Sequence, residues 1–288
     1  MCRFLAYLGE PILAEDLITK PENSLIHQSY GAREMDEPLN GDGFGLGWYV
    51  KNIREEPGLF KSITPAWNNQ NLKQNTGIIK SNCFFAHIRA ASEGIVAENN
   101  THPFQYKQYM MMHNGRIYNF KKIKRDLINL LSDEYYQWIN GETDSEHIFA
   151  LMMQNTENKN SNTEIQLSDM AKAFKKTFLA IEELKQQNGL QEPSLLNMVV
   201  TDGYRIIATR YSSAPEKESR TLYYTHGAKY VCEENICRML PPNKRSKSML
   251  IVSEKLDNFE NEWIKVPDNH ALLVNADLTY ELLDLDSN

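Results

Sequence analysis

The sequence predicts an α+β fold: a four-layer α-β-β-α sandwich with two antiparallel sheets between helices. Three observations lead there. Apolar segments come as strands first, helices in the middle and strands again, an order that suits packed sheets rather than alternating βαβ units. Hydrophobic residues make up 41% of the 288 positions and charged ones 24%, an ordinary globular balance with enough apolar material for a large core. No run of 18 or more apolar residues occurs, so no membrane span is expected. A single domain over residues 1–288 is expected, with the motif-bearing part at 2–150.

Residues 4–8 read as the first strand, ended by Gly9-Glu10-Pro11. Residues 24–33 read as a helix, with Leu25, Ile26 and Ser29 about a turn apart and Asn23 or Ser24 as cap. In residues 40–50, Gly41, Gly43, Gly45 and Gly47 alternate along a strand that ends in Trp48-Tyr49. No Lys-Ser/Thr follows and no helix opens, so this is not a phosphate loop. Such glycines mark close approach of a backbone or ligand; a Gly-rich hairpin arm is the equal alternative. Residues 59–64 read as a strand and 67–75 as a polar helix or loop. A strand at 83–89 runs into the loop 90–94, and 99–103 form a turn cluster.

Residues 106–112 read as a strand ending in His113-Asn114-Gly115, and 117–131 as an amphipathic helix. Asn-Gly is the commonest two-residue hairpin turn, but a helix follows here, so a hairpin does not fit. A second helix opens at Gly141-Glu142-Thr143-Asp144, with Thr143 or Asp144 as a good N-cap and Ile148, Leu151 and Met152 on one face. Residues 155–163 form an Asn-rich linker, and 168–187 a long helix. Strands resume at 195–201, 204–211, 221–225, 248–253 and 271–274, with charged surface loops at 212–220 and 238–247.

The net charge of −7 argues against nucleic acid and anionic membrane as partners. The N-terminus is too short and too soon interrupted for a signal peptide, so a cytoplasmic protein is expected. Of the cysteines, Cys2, Cys83, Cys232 and Cys237, none is expected in a disulfide in a reducing compartment. Cys232 and Cys237, five apart with only His226 nearby, fit no common zinc pattern. Neither a metal nor a cofactor is expected.

The chemistry is concentrated at Met1-Cys2. An initiator Met before a residue as small as Cys is removed, which leaves Cys2 with a thiol nucleophile and a free amine to act as its base. Their reference pKa values, about 8.5 and about 7.7–8.0, make proton exchange near neutral pH cheap. A small hydrophobe in the first strand is the bland alternative for Cys2. Three further pieces stand with it: Ile88-Arg89-Ala90-Ala91-Ser92, His113-Asn114-Gly115 and Glu142-Thr143-Asp144-Ser145-Glu146.

In this order and at these spacings the pieces resemble the class II glutamine amidotransferases, which belong to the N-terminal nucleophile hydrolases. The resemblance covers at least residues 2–148. The Met-Cys-Arg-Phe-Leu start and the lack of an appended synthase domain are similar to stand-alone members of ergothioneine synthesis and glutathione degradation. It implies hydrolysis of the side-chain amide of glutamine or a γ-glutamyl amide, through a thioester on Cys2. Asn114 and Gly115 then supply oxyanion donors. Arg89 holds the substrate carboxylate, with Ala90 and Ser92 in the same loop, and Asp144 holds the α-ammonium. His102, in a His-Pro pair, takes a substrate-site or structural position. A separate ammonia-accepting or peptidase partner is also implied.

The chain departs from synthase-type members in two places. Asn40-Gly41-Asp42 stands where they carry Arg-Gly-x-Asp, and Ala90 and Glu93 stand where they carry an aromatic and a histidine. These departures point to a γ-glutamyl amide larger than glutamine. Two other readings remain: a non-catalytic module that binds a γ-glutamyl ligand, and an N-terminal nucleophile acylase for another amide.

Overall fold

The structure is a computed structural model that describes residues 2–34, 38–91, 94–156, 165–214, 219–233, 236–242, 247–259 and 262–286. From the N-terminus run β1 (Arg3–Leu13), α1 (Glu15–Ile18), α2 (Leu25–Gly31), β2 (Phe44–Trp48), β3 (Gly58–Ser62), α3 (Gln70–Thr76), β4 (Lys80–Ile88), β5 (Phe104–Tyr106) and β6 (Tyr109–Ile117). The helices α4 (Phe120–Asn129), α5 (Asp133–Trp138), α6 (Asp144–Thr156) and α7 (Leu167–Gln187) follow. The remaining strands are β7 (Ser194–Thr201), β8 (Ile206–Arg210), β9 (Tyr223–Gly227), β10 (Lys229–Glu233), β11 (Ile236–Leu240), β12 (Ser248–Val252), β13 (Ile264–Lys265), β14 (His270–Val274) and β15 (Tyr280–Asp284).

Two antiparallel sheets form the middle layers. One runs β13-β9-β12-β1-β4-β2-β3 and the other β15-β14-β8-β7-β6-β5. Side chains alternate between faces along a strand, and this parity sorts the core into layers. On β1, Leu5 and Tyr7 face outward onto Leu17, Ile18 and Leu25 of the first helices. Phe4, Ala6 and Leu8 face inward, onto Phe85, Met110, Met112 and Val199. On β6, Met111 and Ile117 face outward onto Phe120, Ile123, Ile148 and Phe174. Both faces of the central strands are covered, so they read as continuous apolar runs. This is the expected four-layer sandwich. Among the described residues no helix is long and apolar enough to cross a membrane.

The glycines of β2 satisfy both readings given for them. The strand is a hairpin arm paired with β3. A Cβ on Gly45 would also collide with the carbonyl oxygen of His102, so the absence of a side chain lets the loop before β5 pass beneath the sheet.

Several expectations are corrected. β1 continues through Pro11 to Leu13 by means of a register shift between Leu8 and Ile12. Asn114-Gly115 lies inside β6, paired with Asn197 and Leu196 of β7, rather than after the strand. Cys232 and Cys237 are bonded to each other, against the expectation of reduced thiols. They face one another across the β10–β11 hairpin, so their spacing of five is that of a cross-strand pair. Most of the linker expected at 155–163 lies outside the described residues.

Candidate active site

The register of β1 on β4 pairs Arg3 with Ile88 and Phe4 with His87. One step further along the same register sets Cys2 beside Arg89. Phe4 points inward, so by parity Cys2, His87 and Arg89 do as well. The Cys2 thiol donates to the Ala90 carbonyl at 3.6 Å. The Ala90 contribution is thus a backbone one.

The segment that follows Cys2 is clamped from its outer side. Arg3 is buried, and its Nε lies 2.9 Å from Glu254 Oε2. The Glu254 carboxylate also accepts from Asn23 Nδ2 at 2.9 Å and from the backbone N–H of Arg33 at 2.8 Å. Phe4 N–H donates to Ser253 Oγ at 2.9 Å. A chain terminus frays unless tied down, and these bonds tie Arg3 and Phe4 immediately after Cys2.

Arg89 is only 3% exposed. Its Nη1 and Nη2 each donate to the Ile95 carbonyl at 3.2 Å. Its backbone N–H donates to Gly43 O at 2.8 Å, and its carbonyl accepts from Asp42 N–H at 3.0 Å. Asp42 Oδ2 accepts from Ala91 N–H at 2.8 Å. Asn100 Nδ2 donates to Ile95 O as well, at 3.0 Å. The loops around Asp42 and Ile95 therefore fix the guanidinium from two sides. Burial pulls its pKa down from the ordinary value, and the neighbouring Cys2 and Asp42 oppose that pull. Ser92 and Glu93 lie outside the described residues.

The second sheet brings Asn114, which is completely buried. Neither its Nδ2 nor its Oδ1 has a hydrogen-bond partner among the described residues. Parity with Met110 and Met112 turns it inward, toward the face that carries Cys2 and Arg89. Gly115 is required by close approach, because a Cβ there would collide with the Leu195 carbonyl of β7. Asp144, the first residue of α6, is 4% exposed. Its Oδ2 accepts from Ile117 N–H at 2.8 Å and its Oδ1 from Ser145 N–H at 2.8 Å. The N-cap is Thr143, whose Oγ1 accepts from Glu146 N–H at 3.3 Å. Asp144 thus braces the end of the strand that carries Asn114.

Burial pushes the Cys2 thiol above its ordinary pKa. The Arg89 guanidinium draws it back, and Asp144 adds to the rise. The Cys2 thiol thus feels both the Arg89 guanidinium and the Asp144 carboxylate. His102 packs between His87 (ring centroids 4.2 Å apart) and Phe104 (4.7 Å). Its two nitrogens are buried without partners among the described residues, and burial holds its pKa well below the ordinary value. That is a packing position behind the Arg89 strand.

The sequence reading missed Asp42, Asn100, Glu254 and His87. Strand parity alone signals His87, two residues before Arg89 on the same face. Nothing local links Glu254 to Arg3, which lie 251 residues apart. Among the described residues no cluster of His, Cys, Asp or Glu is arranged to hold a metal.

A family model described as "Glutamine amidotransferases class-II" matches residues 13–277. The probable glutamine amidotransferase DUG3 of Saccharomyces cerevisiae is 38% identical over 95% of this chain and 82% of its own length. The chain belongs to the class II glutamine amidotransferases. The family match begins beyond Cys2, so it carries the family and the fold but not the nucleophile. The γ-glutamyl-hercynylcysteine sulfoxide hydrolase of Mycobacterium tuberculosis is 32% identical over 40% of this chain, and the match spans about half (49%) of that protein. Among solved structures, a glutamine aminotransferase class-II domain protein from Silicibacter pomeroyi superimposes with a TM-score of 0.67 at 24% identity, covering 98% of this chain and 99% of that one. The glutamine phosphoribosylpyrophosphate amidotransferase of Bacillus subtilis gives 0.61 at 14% identity, over 100% of this chain and 50% of that one. At those identities the likeness shows the fold.

Proposed function

We propose that the protein hydrolyses the side-chain amide of glutamine or a γ-glutamyl amide through a thioester on Cys2. The observation that supports this reading is that Cys2 and Arg89, at neighbouring ends of β1 and β4, and the Asn114 amide of β6, which has no partner among the described residues, all face the intersheet space. A buried amide without partners costs stability. An oxyanion forming beside Cys2 would satisfy its N–H.

In this mechanism Met1 is removed and the freed amine of Cys2 takes the thiol proton. The thiolate attacks the amide carbonyl, and Asn114 Nδ2–H with Gly115 N–H steadies the oxyanion. Arg89 holds the α-carboxylate and Asp144 the α-ammonium. The proton held by the Cys2 amine goes to the leaving nitrogen, which departs as ammonia or an amine and leaves the thioester. Water then attacks the thioester and returns glutamate and the thiol. The name of the mycobacterial relative supports a γ-glutamyl substrate, and that of the yeast relative a glutamine amide. Ala90, small where synthase-type members carry an aromatic, leaves room for a leaving group larger than ammonia. The test is a panel of glutamine, glutathione and other γ-glutamyl amides, with simple aliphatic amides as controls, against Met1-free untagged protein. Glutamate release from the γ-glutamyl compounds alone is expected. Cleavage of aliphatic amides at equal rates would favour a general acylase, and no turnover of any would leave a binding module.

A further inference from the structure

The candidate site is divided between the two sheets. Cys2 and Arg89 belong with β1 and β4, whereas Asn114 and Gly115 lie on β6. A carbonyl attacked from one sheet must present its oxygen to the other. What lies between is mostly apolar, with Phe4, Phe85, Met110 and Met112 at its centre. Apolar burial holds two layers together but has no direction, and methionine adapts to its surroundings. A hydrogen bond across the gap has direction.

His87 makes such a bond. Its ring points inward from β4, and its Nε2 lies 3.3 Å from the His113 carbonyl oxygen on β6. A carbonyl only accepts, so Nε2 carries the proton and donates. The peptide unit held in this way joins His113 to Asn114. The ring is fully buried, and its Nδ1 has no partner among the described residues. His102 packs on it at 4.2 Å and is itself walled in by Phe104 and the backbone at Gly45. Burial drives the His87 pKa to about 3, so that ring stays a neutral donor at any ordinary assay pH.

We propose that His87 is a positioning residue: its bond to the His113 carbonyl sets the aim of the Asn114 amide across the intersheet gap toward the Cys2 side. The inference rests on the amide-hydrolysis reading above. His87 does not touch the substrate. It fixes the distance between nucleophile and oxyanion donor, and a misplacement of about 1 Å there costs about 10²-fold in rate.

The test compares His87→Phe, which keeps a ring without a donor, with His87→Gln, which keeps an N–H donor. Each is measured with a γ-glutamyl amide that the unmutated protein hydrolyses. For His87→Phe the inference expects kcat lower by about 10²-fold with KM close to the unmutated value, and a lowered Tm because the His113 carbonyl loses its donor. Alkylation of Cys2 by iodoacetamide, which forms no oxyanion, should keep its rate. His87→Gln should recover at least about a tenth of the lost kcat. If His87→Phe keeps kcat within about threefold, or if both variants fall alike, the inference is overturned. Where His87→Phe does not fold, imidazole ¹⁵N shifts of the unmutated protein decide: a proton on Nε2 supports the bond, and a proton on Nδ1 overturns it. Failure of the unmutated protein on every γ-glutamyl amide is a separate result, which overturns the amide-hydrolysis reading and this inference with it.

Discussion

Asn114 and Asp144 are both buried, yet their hydrogen-bond states are opposite. The Asn114 amide has no partner among the described residues, whereas Asp144 already accepts from Ile117 and Ser145. The two are therefore expected to respond differently to truncation. Asn114→Ala removes an oxyanion donor and an orphaned polar group together. We expect kcat to fall by about 10²–10³-fold with Tm unchanged or raised. Steady-state kinetics beside thermal melting checks this, and a lowered Tm at unchanged kcat would make Asn114 structural. Asp144→Ala strips the Ile117 N–H of its acceptor, so it should cost about 1–3 kcal/mol of stability as well as raising KM. A raised KM alone would mean that the brace on β6 is idle. The sequence shows residue types at Cys2, Arg89, Asn114 and Asp144 but not which polar atoms are satisfied. The division of labour between Asn114 and Asp144 therefore had to wait for the structure.

At the scale of the elements, β1 matters most, because Cys2, the proposed nucleophile, immediately precedes it. The buried Arg3–Glu254 pair holds that end. Glu254→Ala leaves a guanidinium buried without its anion, which we expect to cost about 3–5 kcal/mol. Faster hydrogen exchange at Arg3 and Phe4 than elsewhere on β1 should accompany it. Uniform exchange along β1 would show that Ser253 alone suffices. The long central strands and α7 were legible in the sequence because both carry strong apolar patterns. The edge strands β5, β13 and β15 and the β10–β11 hairpin were not, since strands of two to five residues offer too few positions to show a period. Asn114-Gly115 misled for a definite reason: glycine is needed there for the close approach of β7, not for a turn.

At the scale of the whole molecule, four of the seven histidines (His87, His102, His113 and His147) are buried. Burial lowers the pKa of each, to about 3 for His87 and about 4 for His147. The unfolded chain takes up these protons near pH 6.5, whereas the folded protein resists until lower pH. The unfolded state therefore binds more protons below about pH 6.5, and stability falls as pH falls through that point. Each ring contributes up to about 1.4 kcal/mol per pH unit. Glu146 and Asp257, held above their ordinary values by burial, work in the opposite sense, toward the carboxylate range. Between about pH 6.5 and 5.5 the histidines should dominate. We expect Tm to drop steadily across this interval, with net proton uptake on unfolding measurable by calorimetry in buffers of different ionisation heat. A flat Tm there would mean that these rings are hydrated or charged in the folded protein.

The central claim is that Cys2, freed of Met1, is the nucleophile of a γ-glutamyl amide hydrolase. It is tested most directly by covalent trapping with 6-diazo-5-oxonorleucine, an electrophilic analogue of glutamine, followed by intact-mass and peptide mapping. Cys2 is the thiol with a base of its own, Cys83 is buried with its pKa pushed up to about 12, and Cys232 and Cys237 are bonded to each other. The account predicts a single adduct, on Cys2 of Met1-free protein, with hydrolysis abolished in proportion to labelling. Full-rate hydrolysis by protein that retains Met1, or loss of activity with the adduct elsewhere and Cys2 unmodified, would contradict it.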